Sequence, residues 1–292
     1  MLLVTLVLVV WARTGAVRLQ AEEITFAAYN VANFSPLPEM GRTKPGKSGE
    51  ATQALIRVIR EINPDILGVC EMGSPAQFAH FRHLLSQAGL GYRDYEYLEA
   101  ADPDRRLALV SRYPIVARHS RGDIAFAAEG SHEKVRRGIL DVTVRIRDGV
   151  NLRFVGVHLK SKLPVREGEE LLRRHEGDQV RRHIDAILRD DPALPLLLYG
   201  DFNDTRDQPN LRQIAGLRGS PEALTPLPLE DAHGDRWTHH WKVNDVYSRI
   251  DFLFVNKAAR AMVIREKSYL YRSPDWSKAS DHRPLVVRLR AR

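Results

Sequence analysis

The chain has 292 residues, 43% of them hydrophobic, and a formal net charge of +7. It can bury a full core within one domain, and its charge favours anionic partners without choosing among nucleic acid, anionic lipid and phosphate esters. The single cysteine, Cys70, excludes an intramolecular disulfide and a Cys-rich zinc site.

Residues 1–21 read as an export signal. Leu2 to Trp11 is almost wholly apolar, and Thr14, Ala16 and Ala21 supply small residues for cleavage. The run is short for a membrane span, so no stable anchor is expected, with an uncleaved anchor as the alternative. Cleavage after Ala21 removes Arg13 and Arg18 and no acid, so residues 22–292 form a domain that is still basic. The expected location is secreted or periplasmic.

Ile24 to Asn30 is an apolar run ending on a carboxamide. In the loop after it, Gly41 to Ser48 matches the phosphate-loop pattern letter for letter and offers Lys44, Lys47 and Ser48 as phosphate binders. The pattern does not directly follow a strand, and Pro45 removes an amide, so a solvated basic loop is the expectation. Ala51 to Ile62 has helical spacing and stops at Pro64. Ile66 to Cys70 is a buried strand with Glu71 at its end, and Phe78, Phe81, Leu84 and Leu85 mark a helix closed near Gly89. Strands are expected over Tyr92–Leu98 and Leu107–Val110, with another starting at Pro114–Val116. In the strand Leu140 to Ile146, the alternation puts Asp141, Thr143 and Arg145 on a solvent face. Leu152 to Val157 is followed by His158, and Glu167 to Arg189 is a long amphipathic helix.

The apolar run Leu196 to Tyr199 turns on Gly200, and Asp201 and Asn203 leave its end on one side. A short helix follows, then strands over Ile250–Val255, Met262–Ile264 and Leu285–Leu289. Asn30, Glu71, His158 and Asp201 thus stand at separate strand ends, Asp251 lies inside a strand, and Asp281-His282 precedes the last one. Such groups can converge on one rim of a sheet. Glu71, Asp201, Asp251 and Asp281 would repel if gathered without a cation, which points to Mg²⁺, or Mn²⁺, held by oxygen ligands. His239 and His240 show no metal-ligand spacing.

Asn30 in Ala-Tyr-Asn-Val, Glu71 in Gly-Val-Cys-Glu, His158 in Gly-Val-His-Leu-Lys-Ser, Gly-Asp201-Phe-Asn203-Asp, Arg249-Ile-Asp251-Phe and Ser280-Asp281-His282-Arg-Pro resemble the endonuclease/exonuclease/phosphatase superfamily. The six blocks occur in the family's order from about Ile24 to Leu289. The resemblance implies an α/β fold, a four-layer sandwich of two packed mixed sheets with helices outside, and Mg²⁺-dependent hydrolysis of phosphoric esters. It implies Glu71, Asn30 and Asp281 at the metal, and Asn203 and His158 on the phosphate. It pairs His282 with Asp251, and either Asp201 or His282 is the base.

Arg106 (or Arg105), Arg137 (with Arg136), and Lys160 with Lys162 are candidate substrate contacts, and Trp276 either stacks on a base or covers the core. With Lys44 and Lys47 these residues cluster near the expected rim, and no long exposed apolar stretch is expected in the loops. An exported, monomeric nuclease acting on nucleic acid, DNA before RNA, is the resulting expectation. The alternatives are a phosphatase or phospholipase C-type enzyme on inositol phosphate or sphingomyelin, and a non-catalytic binding module.

Overall fold

The computed structural model describes residues 22–34, 46–128 and 131–291. The leader and residues 41–45 of the phosphate-loop-like stretch, Lys44 and Pro45 among them, lie outside the described residues. The elements begin with β1 (Glu22–Asn30), α1 (Gly49–Ile62), β2 (Ile66–Cys70), α2 (Pro75–Gln87), β3 (Asp94–Leu98), β4 (Leu107–Ser111), β5 (Ile115–Arg118), β6 (Ala125–Ala128) and β7 (Ser131–Lys134). They continue with β8 (Leu140–Arg147), β9 (Val150–His158), α3 (Glu169–Asp190), β10 (Leu196–Asp201), α4 (Pro209–Ala215), β11 (Thr225–Pro226), β12 (His239–Trp241) and β13 (Val246–Ser248). The last are β14 (Asp251–Val255), α5 (Lys257–Arg260), β15 (Tyr269–Leu270), α6 (Trp276–Ala279) and β16 (Leu285–Ala291). No described helix is long and apolar enough to cross a membrane.

Two six-stranded sheets result, ordered β15-β16-β1-β2-β4-β3 and β11-β14-β10-β9-β8-β5. Each is mixed, with one parallel pair, β1 with β2 and β9 with β10. Their inner faces meet around Phe26, whose ring centroid lies 4.9 Å from those of both Phe154 and Tyr199. The outer faces are covered by helices. Leu55, Ile59, Phe78 and Phe81 of α1 and α2 pack on the first sheet, and Val180, Ile184, Leu211 and Ile214 of α3 and α4 on the second. This is the expected four-layer sandwich. Central strands such as β2 and β10 are buried along their whole length, which is why they read as unbroken apolar runs. Gly68 is a close-approach position, because a Cβ there would lie 2.2 Å from the Tyr199 ring.

The register builds the rim. Asp201 at the end of β10 is paired with His158 of β9 on one side and Asp251 of β14 on the other. Asn30 is paired with Cys70, so Glu71 emerges beside it.

Four local expectations are corrected. The chain does not turn at Gly200: β10 runs through it to Asp201, and its φ of 140° lets β9 approach so closely that a Cβ would lie 1.9 Å from the Val157 carbonyl oxygen. Asn203 lies beyond the strand in the left-handed region (φ 51°), so strand alternation does not reach it. Met262 to Ile264 forms a single bridge, Val263 to Leu289, rather than a strand. Asp141 is buried, because His183 of α3 and Arg153 of β9 cover it and hold its carboxyl below the usual range against the cost of burial.

Candidate active site

Glu71 stands just past β2 at φ 67°, a left-handed backbone that costs a non-glycine residue on the order of 1–2 kcal/mol. Two amides hold it there: Asn33 N donates to its Oε2 (2.8 Å) and Phe34 N to its carbonyl (2.8 Å). Asn30 Nδ2 donates to Asp201 Oδ2 at 3.0 Å and to Glu71 Oε1 at 3.3 Å. His158 Nε2 lies 3.5 Å from Asp201 Oδ2 and 3.8 Å from Glu71 Oε1. Across the well, His282 Nδ1 meets Asp251 Oδ2 at 2.8 Å, and its Nε2 points to Asp201 Oδ2 at 3.8 Å. Asp281 is half exposed at the mouth, its Oδ1 3.9 Å from His282 Nε2. Asn30, Glu71, His158, Asp201, Asp251, Asp281 and His282 are therefore brought together.

The other predicted residues support this rim. Asn203 N caps Asp201 Oδ1 (2.8 Å), and its Nδ2 donates to the Leu159 carbonyl (3.0 Å). Arg137 is buried, ion-paired with Asp102 (2.9 Å) and donating to the same Leu159 carbonyl (3.2 Å). Lys160 folds back so that its Nζ donates to the carbonyls of Ser161 and Leu163. Arg106 donates to the Tyr97 hydroxyl (2.9 Å). Arg137 and Lys160 thus stabilise the loop after His158 rather than present free cations, whereas Lys162 is exposed.

Several participants take places that the sequence did not assign to them. Ser48, inside the phosphate-loop-like pattern, is the N-cap of α1, while Lys47 crosses to the site and donates to the Ala279 carbonyl (2.5 Å), within the fields of Asp281 and Glu71. His239 packs on His282 at 4.6 Å between ring centroids, with its Nε2 3.8 Å from Asp281 Oδ2. Buried Glu176 accepts from the amides of Arg136 and Lys160. Arg283, fully buried, pairs with Asp231 (2.7 Å) and anchors the backbone beside His282. Apart from the local Ser48 cap, only contacts between distant segments reveal these roles.

Electrostatics separates the groups. Burial pushes the Asp201 carboxyl up, and the nearby Asp251 and Glu71 charges add to this. Burial opposes the charged form of His282, but Asp251, Asp201 and Asp281 outweigh it and raise its proton affinity. Burial, then the Arg137 charge, hold His158 well below the usual histidine range, so it is neutral. Its Nδ1 is buried without a partner, which favours the tautomer whose single N–H, on Nε2, faces the carboxylates.

Among the described residues, Asp201, Asp251 and His282, and likewise His239, Asp281 and His282, bring ligand atoms within 4.8 Å of one another. Glu71 and Asn30 reach the same well through Asp201 and His158. So many carboxylate oxygens in one well fit a hard divalent cation.

The sequence profile of the Endonuclease/Exonuclease/phosphatase family matches residues 27–282. The chain belongs to this family. It is accordingly a metal-dependent phosphoric ester hydrolase, which agrees with the donor set. The same fold occurs in the human nocturnin catalytic domain solved with a bound sulfate anion (21% identity, TM-score 0.63, 92% of this chain and 96% of that one). It also occurs in D. rerio TDP2 complexed with a single strand DNA product (15%, 0.62, 91% and 98%). Sphingomyelinase C from Streptomyces griseocarneus shares it as well (15%, 0.62, 92% and 99%). No curated protein matches the sequence.

Within the family's chemistry, Glu71, Asn30 and Asp281 would hold the metal, with the other carboxylates around it. When bound, the cation neutralises the ester phosphate and polarises its oxygens. The chain's own groups do the rest. Asp251 locks the His282 tautomer and supports its positive charge, Asn203 and Asn30 orient Asp201, and His158 offers one N–H donor. Asp201 and His282, 3.8 Å apart at the centre of the well, would be the groups to exchange a proton with water or with the leaving oxygen.

Proposed function

We propose that the chain is an exported, monomeric, Mg²⁺-dependent phosphodiesterase that cuts nucleic acid, with DNA the first candidate. The observation that carries this reading is the wall beside His282, which is aromatic and basic at once. His240 and Tyr247 are stacked (4.1 Å, 3°), and Trp237 and Trp276 pack edge-on at 5.1 Å. The ammonium groups of Lys47 and Lys242 are held at this wall by the carbonyls of Ala279 and Ser277, and Lys242, exposed, is the one that can turn to a phosphate. Bases stack on such rings while ammonium groups take neighbouring phosphates.

One observation favours a second reading. The tip of the β12–β13 hairpin exposes Trp241, Val243, Val246 and Tyr247, an apolar surface not expected from the loops. It would suit a lipid-borne phosphate such as sphingomyelin. A panel of duplex DNA, single strands, RNA, sphingomyelin and inositol phosphates, each with Mg²⁺, decides between them. Cleavage of DNA or RNA upholds the first reading, and turnover confined to sphingomyelin or an inositol phosphate moves the assignment.

A further inference from the structure

On the flank of the sandwich, where the β11 edge of one sheet faces the segment between α5 and β15 of the other, lies a cavity of about 320 Å³. Arg206, Arg249, Arg260 and Arg265 line it, and no carboxylate does. Among the described residues none of the four makes an ion pair. Arg206, Arg260 and Arg265 are exposed. Arg249 is half-buried: its Nη2 donates to the Leu227 carbonyl (2.8 Å), while its Nε is buried without a partner. Burial, then the charges of Arg206 and Arg236, pull its proton affinity down to about 10 against the attraction of Asp251.

Cations gathered without a counter-charge repel, and a guanidinium is built to grip phosphate oxygens two at a time. The remaining wall is apolar, with Pro226, Leu229, Phe252 and Val263. The volume is at the lower end of small-ligand sites, which run from about 300 to 1,000 Å³, so one small unit fits and a bulky ligand does not. The upper end adjoins the catalytic rim, since Arg249 stands just before Asp251 and Arg206 follows the Asp201 loop.

We propose that this flank cavity is a second phosphate-binding site, separate from the metal centre, that takes a phosphate carried on a small ring system, a nucleotide unit whose ring face meets the apolar wall. The unit comes either free in solution or as part of a strand. Only the strand source rests on the nuclease reading.

The test uses the full chain and an Arg260→Gln/Arg265→Gln variant, whose exposed positions leave folding unperturbed. Inorganic phosphate and adenosine 5′-monophosphate are titrated calorimetrically in excess chelator. Cleavage of a single-stranded oligonucleotide is then compared with that of bis(p-nitrophenyl) phosphate, a diester too small to span both sites. If the unit is free, the variant loses about tenfold or more in mononucleotide affinity, the scale of one charge-assisted contact, and oligonucleotide KM is unchanged. If it belongs to a strand, oligonucleotide KM rises by a similar factor at constant kcat. In both cases turnover of the small diester stays at the parent level, and Lys at both positions restores only part of the loss, because an ammonium keeps the charge without the two-point grip. Unchanged binding and unchanged KM overturn the proposal. A parent enzyme that cuts no oligonucleotide overturns the nuclease reading instead, and the mononucleotide titration still decides the cavity.

Discussion

At the scale of single residues, burial and neighbouring charge give the titratable groups of the site opposite proton affinities. Asp201 and His282 share the centre with opposite tendencies, one pushed toward its neutral acid by burial, the other held charged by three carboxylates. Asp201→Asn and His282→Ala should each lower kcat by at least ~10²-fold, the low end for positioned acid–base groups. KM should change far less, and steady-state kinetics on a small diester measures both. A fully active His282→Ala would refute the assignment. Glu71 is held in a strained backbone with two amides committed to it, as expected of a carboxylate aimed at a fixed ion. Excess chelator should abolish turnover, Mg²⁺ or Mn²⁺ should restore it, and Glu71→Gln should raise the metal concentration for half-maximal rate. Full activity in chelator would exclude the metal.

At the scale of elements, two contacts position the rim. β10 reaches Asp201 only because Gly200 lets β9 lie against it. Gly200→Ala should destabilise the protein by about 2 kcal/mol or more, the range for overpacking a filled site, read as a lower denaturant midpoint. The second contact ties the segment before β16 to the loop after β11 through buried Asp231 and Arg283. Burial opposes the Asp231 charge, but the amides of His233 and Asp235 and the Arg283 guanidinium overcome it and hold the carboxyl at about 2. Because the folded-state value is depressed, this stabilisation is complete above the unfolded value, roughly pH 4. It is lost as pH falls toward 2. Asp231→Asn should therefore lower stability at pH 7, where a buried cation loses its partner at a cost of about 3 kcal/mol or more, and flatten the acid limb of the unfolding profile. An unchanged acid limb would show that the pair does not control it.

At the scale of the whole molecule, charge is spread unevenly between fold and surface. Eight basic residues cluster near the rim in sequence, yet Arg137 and Lys160 are consumed by contacts within the loop after His158, and Arg106 by Tyr97. Cleavage of duplex DNA should therefore lose efficiency with salt at a slope nearer about 4.5 than 7 log units per log salt, at ~0.9 for each neutralised phosphate. Measuring kcat/KM from low to physiological ionic strength checks this, and a flat response would argue against a polyanionic substrate.

The six blocks, the apolar runs and the helical periodicities were legible in the chain alone, because strand ends, caps and buried faces leave local patterns. The runs and periodicities marked individual strands and helices, the six blocks marked the residues of the rim (Asn30, Glu71, His158, Asp201, Asp251, Asp281 and His282), and the sandwich with its two sheets came only with the family resemblance those blocks carry. Burial of a polar residue leaves no such pattern, since it depends on what arrives from elsewhere. Asp141 read as solvent-facing until α3 covered it, and Arg137 and Lys160 read as free cations until their loop closed on them. Lys47 and His239 acquire their places, and the flank arginines their shared cavity, only because distant segments meet at the edges of two packed sheets. Which polar groups touch was decided by tertiary packing, and which polar groups were available to touch was decided by the sequence.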